Sequence, residues 1–180
     1  MINAYFRKMK GGGKTPPLTS ISNVFWSFIG AFFGIASLHY TPWGHLSTGD
    51  MNMVIGSFGA SAVLLYGAID SPLAQPRNLI GGHVLSAVIG VFCYQFFGSQ
   101  LWLAAALAVA TAIAVMHLTK TLHPPGGATA LIAVIGSPAL HDSGYMYALL
   151  PVGRGALILL FFALLVNNIP KGRRYPKFWL

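Results

Sequence analysis

Residues 122–130 read Leu-His-Pro-Pro-Gly-Gly-Ala-Thr-Ala between two long apolar runs. The chemistry these residue types suit is the holding of a small anion by backbone N–H groups. Pro124 pushes His123 toward an extended conformation, and Pro125 fits the first turn of a helix, where a missing N–H is no loss. The chain therefore arrives extended and leaves helical. Gly126 and Gly127 remove side chains from that turn, so its free N–H groups can be approached closely by something negative. The plainer alternative is a Pro-Gly turn joining two ordinary spans, and the surrounding sequence decides between them.

Few other side chains offer chemistry. His123 suits a proton acceptor or an anion contact, and equally a bond to a backbone carbonyl freed by the prolines. Arg77, in Gln-Pro-Arg-Asn, and its neighbour Asn78 precede a Gly-Gly helix start and suit the entry of an anion; the alternative is an anchor among lipid headgroups. His83 and Arg154 each follow a glycine. The first reads as a gating or packed core histidine, the second as an outer-mouth anion lure or a snorkelling side chain. Asp50, Asp70 and Asp142 fall in loops or at span ends, so proton coupling, if present, must fall to a histidine. No pair among His39, His117 and His123 stands at i, i+4, and no Cys or carboxylate cluster joins them, which disfavours haem or metal. Ser57 or Ser61 with a histidine makes a dyad on paper, but nothing in the sequence orients it. No cofactor, metal or catalytic residue is expected.

Gly59-Ala60-Ser61-Ala62-Val63-Leu64-Leu65 matches Gly127-Ala128-Thr129-Ala130-Leu131-Ile132-Ala133 at an offset of 68, and Ser71-Pro72 echoes Ser137-Pro138 at 66. Each match is preceded by a span ending in a histidine and followed by a polar connector and a long span. The order of events makes two copies of span, short helix, span, at about 23–98 and 101–169. Three crossings per copy is odd, so the second copy is expected to be inverted. Paired interrupted helices in inverted copies mark a binding site near the bilayer midplane. With the N-terminal ends of both short helices facing each other, N–H groups of Gly59, Ala60, Ser61, Gly126, Gly127, Ala128 and Thr129, with His123 at the edge, would line an anion pocket.

The elements that must position these residues are membrane helices. A chain of 180 residues that is 55% hydrophobic and 8% charged, with mean hydropathy +0.66, is excluded from the ordinary soluble class, which is about 25% charged. Unbroken apolar runs exclude an outer-membrane barrel in favour of helices. Eleven Lys and Arg stand against three acids, yet they cluster at the ends: Arg7, Lys8, Lys10 and Lys14 before the first span, Lys171, Arg173, Arg174 and Lys177 after the last. That distribution signals topology rather than nucleic-acid binding, with both termini cytoplasmic. The lone Cys93 excludes an intramolecular disulfide. The expected spans are Asn23–Leu38 capped by Ser22 or Asn23, Val54–Tyr66, Ile80–Phe97, Leu101–Met116, Gly126–Gly136 and Val152–Asn168. Trp43 is expected at the outer interface. Residues 1–20 read as a cytoplasmic tail without a signal peptide, 21–170 as the membrane domain and 171–180 as a basic cytoplasmic tail.

The 123–130 stretch, with Phe58 to Leu65 and the run Pro72-Leu-Ala-Gln-Pro-Arg-Asn-Leu-Ile-Gly-Gly-His83, resembles the HPP family of integral membrane proteins. Members in cyanobacteria and chloroplasts are implicated in nitrite transport. The resemblance implies permeation of nitrite or a similar anion, in a bare transmembrane unit without an added regulatory domain. The expectation is an all-α polytopic protein of six helices in two inverted three-helix repeats, its second and fifth helices short and interrupted, in the bacterial plasma membrane. It passes a small monovalent anion, contacts lipid and can pair with itself through its Gly- and Ala-rich faces. The competing class is a non-transporting assembly or accessory protein.

Overall fold

A computed structural model describes residues 2–9, 13–44 and 46–180; Lys10 and the first glycines of the expected N-terminal tail, Gly11 and Gly12, lie outside the described residues. All regular structure among them is helical. A seven-residue helix, α1 (Ile2–Lys8), stands in the tail. The first long helix, α2 (Ile21–His39), is capped by Ser20, whose side chain accepts the Asn23 N–H at 3.2 Å. Ser22 and Asn23, expected as caps, lie inside the helix. Trp43, expected at the outer interface, folds back onto the end of α2, buried, and donates its indole N–H to the Leu38 carbonyl at 3.0 Å.

The largest departure is the second helix. α3 (Thr48–Ala62) begins six residues before the expected Val54 because Ser47 and Asp50 form a reciprocal capping box. That box makes a helix of polar residues that read as loop. A π-helical turn, Val63–Gly67, continues it. The helical path is therefore about 30 Å long, and this helix is polar rather than short.

After a 3₁₀ turn at Pro72–Ala74 come α4 (Pro76–Phe97), α5 (Leu101–Leu118) and α6 (Pro124–Ile135). The small α7 (Pro138–Asp142) follows, then a π-helical segment Ala148–Gly153 broken at Leu150, where φ is −130° and ψ 99°, and α8 (Arg154–Asn167). Four helices are long and apolar enough to cross a membrane: Ile21–His39, Pro76–Phe97, Leu101–Leu118 and Ala148–Asn167. α6 is apolar but has only 12 residues.

Hydrogen bonds fix which ends meet. At one end, here the connector end, Arg77 reaches Thr119, Ser27 reaches Tyr66 and Arg173 reaches Asn23. At the other, the loop end, Asp50 meets Ser137 and Arg154 meets Pro42. Successive long helices and α6 thus alternate in direction. α6 is enclosed by α3, α4 and α5, while α2 lies on α8. Large apolar side chains of α2, α5 and α8, among them Phe28, Phe32, Trp102, Leu157 and Phe161, point outward, as a lipid-facing surface requires.

The π-helical turn shifts the carbonyl pattern at the end of α3, and the segment after α8 takes up the freed acceptors. Asn167 donates to Leu65 O at 2.8 Å, and Arg173 donates to Tyr66 O at 2.7 Å and Asn167 Oδ1 at 2.8 Å. Burial lowers the Arg173 pKa from its ordinary value, with nearby Asp70 opposing. Tyr175 donates to Ala74 O at 2.7 Å, and Lys177 pairs with Asp70 at 2.7 Å. Residues 173–177 are therefore strapped across the connector.

Candidate functional site

His123 is extended, at φ −142° and ψ 102°, and Pro124 and Pro125 open α6, as their chemistry dictates. α6 then presses against α4 at glycine contacts. A Cβ on Gly82 would lie 2.5 Å from His123 Cβ, and one on Gly126 would lie 2.8 Å from both Gly82 O and Ser86 Oγ. Arg77 and Asn78, in the first turn of α4, hold the segment before His123: Arg77 donates to Thr119 O at 2.7 Å and Asn78 to Leu122 O at 2.9 Å. The histidine is thus aimed inward by backbone geometry on one side and two clamps on the other.

Inside, side chains of α3, α4 and α6 form a continuous buried polar chain. Ser57 Oγ lies 2.9 Å from Thr129 Oγ1, which lies 2.7 Å from His83 Nδ1. His83 Nε2 lies 2.7 Å from Ser61 Oγ, which lies 2.9 Å from His123 Nε2. His123 Nδ1 ends the chain on Leu73 O, at 2.8 Å, in the connector. Ser61, His83 and His123 have no exposed surface, and Thr129 and Ser57 almost none. Phe58 packs on His83 with ring centroids 4.8 Å apart, and the two imidazoles are 5.0 Å apart. Tyr147 donates to Thr129 O at 3.2 Å.

The sequence-predicted residues divide cleanly. Ser61, His83, His123, Gly126 and Thr129 come together here. Gly59 and Ala60 lie well inside α3, where their N–H groups belong to the helix, and on its outward side. Gly127 and Ala128 line an open apolar groove with Val109, Ile113 and Leu131. The expected pair of facing N-termini is overturned: the start of α3 meets the end of α6, where Ser137 donates N–H to Asp50 Oδ1 at 2.9 Å. Arg154 lies at the loop end, donating to Pro42 O beside Trp43.

Ser57 is the member whose role sequence reasoning missed, though it stands one turn before Ser61. The repeat offers a further signal. Ser61 and Thr129 stand at the same place in the two matched stretches, 68 positions apart, and they meet the two nitrogens of one imidazole, His83. Chemically, the cluster can hold protons and offer neutral donors, with no fixed charge bonded to it among the described residues.

Comparison with known proteins agrees with the sequence motifs. The family described as "HPP, transmembrane region" matches residues 16–176. Two proteins of Dictyostelium discoideum, both named only as transmembrane proteins, are 46% and 43% identical over 97% and 99% of this chain. The chain spans 57% and 64% of the length of these relatives. No solved structure matches.

Proposed function

The chain belongs to the HPP transmembrane family of integral membrane proteins, and we propose from that premise that it carries a small monovalent anion, with nitrite the leading candidate. The observation that carries the reading is the convergence of repeat-equivalent Ser61 and Thr129 on His83, inside helices with no other buried polar chain of this extent among the described residues. α3 with its π turn and the short α6 act as the second and fifth of six crossings, in two inverted copies at about 23–98 and 101–169 within a membrane domain at 21–170. Both ends of that domain then face the cytoplasm, with residues 1–20 and 171–180 flanking it. The alternating helix directions and the pairing of α2 with α8 and α5 with α4 support this exchange of partners between copies.

The anion site proposed here is smaller than a pair of helix N-termini. It consists of the hydroxyls of Ser57, Ser61 and Thr129 and the imidazoles of His83 and His123, with Gly126 letting α6 pack closely on α4 beside them. Neutral donors suit a weakly hydrated monovalent anion, because no fixed positive charge has to be kept in the bilayer without it. Arg77 and Asn78 govern entry by holding the His123 segment, and Arg154 stands at the loop-end mouth. Nitrite itself comes from the resemblance to HPP members. A bacterial plasma membrane location and self-association through the glycine-rich faces complete the reading.

The test is uptake of ¹⁵N-nitrite and ¹⁵N-nitrate down their gradients into proteoliposomes at pH 8, against protein-free vesicles that report leakage of the neutral acid. Thr129→Val, which keeps shape and removes the hydroxyl, is expected to lower uptake at least tenfold, while Gly127→Leu, facing the apolar groove, leaves it unchanged. Wild-type uptake no faster than protein-free vesicles for either anion overturns transport in favour of an accessory role.

A further inference from the structure

Hydrogen positions in the buried chain follow from one fixed point. A carbonyl only accepts, so Leu73 O obliges His123 to carry its proton on Nδ1. Neutral His123 then accepts at Nε2, and Ser61 spends its single hydrogen there. Ser61 must therefore accept from His83 Nε2–H, which leaves His83 Nδ1 as acceptor of the Thr129 hydroxyl. Thr129 in turn accepts from Ser57. The two histidines are opposite tautomers, and every donor points toward the connector end.

We infer that this Ser57–Thr129–His83–Ser61–His123 chain is a proton relay that stores one proton, and that one proton accompanies each anion. The storage rests on the geometry alone; the coupling rests on the transport reading above.

The chain can accept a proton without losing a hydrogen bond. When His123 Nε2 is protonated, both imidazoles donate to the two lone pairs of Ser61, whose own hydrogen turns to Ser57 O, 3.4 Å away. When His83 Nδ1 is protonated instead, it donates to Thr129, whose hydrogen turns to Pro125 O, also 3.4 Å away. The proton passes between them in one exchange. His83 Nε2 gives its hydrogen to Ser61 Oγ, the Ser61 O–H bond breaks, and that hydrogen binds His123 Nε2. One positive charge moves from His83 to His123, and His83 is left as its Nδ1–H tautomer. The reverse exchange returns the charge to His83, and His123 Nδ1–H stays on Leu73 O throughout.

A second proton is opposed because the rings are 5.0 Å apart. The Phe58 ring lies tilted at 45° to His83 with centroids 4.8 Å apart. The other ionisable groups around the chain are Tyr147 on the Thr129 carbonyl, Tyr175 on the Ala74 carbonyl and Arg77 on the Thr119 carbonyl. None of them bonds an imidazole. Asp50, the carboxylate on α3, is engaged at the loop end by Ser47 and Ser137.

Two measurements decide the inference. In lipid nanodiscs, ¹⁵N-histidine NMR at alkaline pH is expected to show His83 as Nε2–H and His123 as Nδ1–H, with one imidazolium per chain appearing on acidification. Identical tautomers, independent titration of both rings, or no titration before unfolding overturns the relay whether or not the protein transports. In vesicles with a trapped pH dye, an inward nitrate gradient is expected to acidify the lumen at one proton per anion. Ser61 belongs to the anion site as well, so Ser61→Ala is expected to slow nitrate entry and to lower the proton-to-anion ratio of the residual flux; a ratio unchanged from the wild type overturns the relay. Nitrate entry without acidification in the wild type overturns coupling. Absence of nitrate and nitrite entry altogether removes the transport reading and the coupling with it, and NMR alone then judges the stored proton.

Discussion

Arg173 shows how one side chain can decide whether a distorted helix end is tolerable. It is 8% exposed, and its guanidinium spans Asn23 O, Tyr66 O and Asn167 Oδ1. A lysine reaches one of these acceptors and lacks the planar fork. Arg173→Lys is expected to destabilise the fold by about 2 to 4 kcal/mol, since buried acceptors at the π turn lose their donor. Thermal unfolding in detergent measures it, and Arg174→Lys, on an exposed side chain, serves as the control with no shift. His123 illustrates the complementary point: the sequence offered both a carbonyl bond and a proton role, and in the structure one ring nitrogen meets the Leu73 carbonyl and the other the Ser61 hydroxyl.

At the scale of elements, the close approach of α4 and α6 sets the geometry of the site. A Cβ on Gly90 would lie 2.7 Å from Ala133 Cβ and closer still to the Ala130 carbonyl. Gly90→Ala must push α6 away, and a loss of about 1 to 3 kcal/mol is expected for such overpacking. Together with this loss, slower anion uptake per folded molecule is expected, because Thr129 moves off His83. α6 was legible in the sequence because the Pro-Pro-Gly-Gly run fixes a helix start by covalent geometry. α3 was misread at its start because Thr48-Gly-Asp-Met-Asn52 is too polar for a hydropathy argument, and only the Ser47/Asp50 box, a pattern at loop-like residues, makes it helical. A helix begun at Val54 in mid-membrane would have turned N–H groups from around Gly59 toward α6; the start at Thr48 puts those N–H groups inside the helix and removes the facing N-termini. The cluster itself was half legible. Ser61, His83, His123 and Thr129 stood out by motif and repeat, whereas their order of bonding depends on helix rotation, which no spacing encodes.

For the molecule as a whole, the alternation of helix directions puts both termini at the connector end. Cys93, on α4, is buried among small and apolar residues of α5 and α6, so Cys93→Ala gives a background for labelling. In sealed vesicles of uniform orientation, a cysteine at Lys177 or Ser71 and one at Ser143 are expected to react with a membrane-impermeant maleimide from opposite sides. Reaction at positions 71 and 143 from the same side would remove the six crossings in favour of four. The exposed aromatic surface of α2, with Phe25, Phe28, Phe32 and Phe33, belongs to the lipid-facing periphery in this arrangement, and the face of α3 that carries Asp50, Ser57 and Ser61 to the interior.

The union of Asp50 with Ser137 has a bearing on how the chain is made. Asp50 is 1% exposed, and two of its four hydrogen bonds come from a residue 87 positions later. While the ribosome is still adding the first half, that carboxylate has only Ser47 for company, and a helix carrying it has little reason to leave the aqueous channel of the insertion machinery. α3 is thus expected to settle late, after α6 has emerged, so that the two halves mature together. Nascent chains truncated before Ser137 should keep α3 accessible to an aqueous thiol reagent, and chains extended past α8 should shield it.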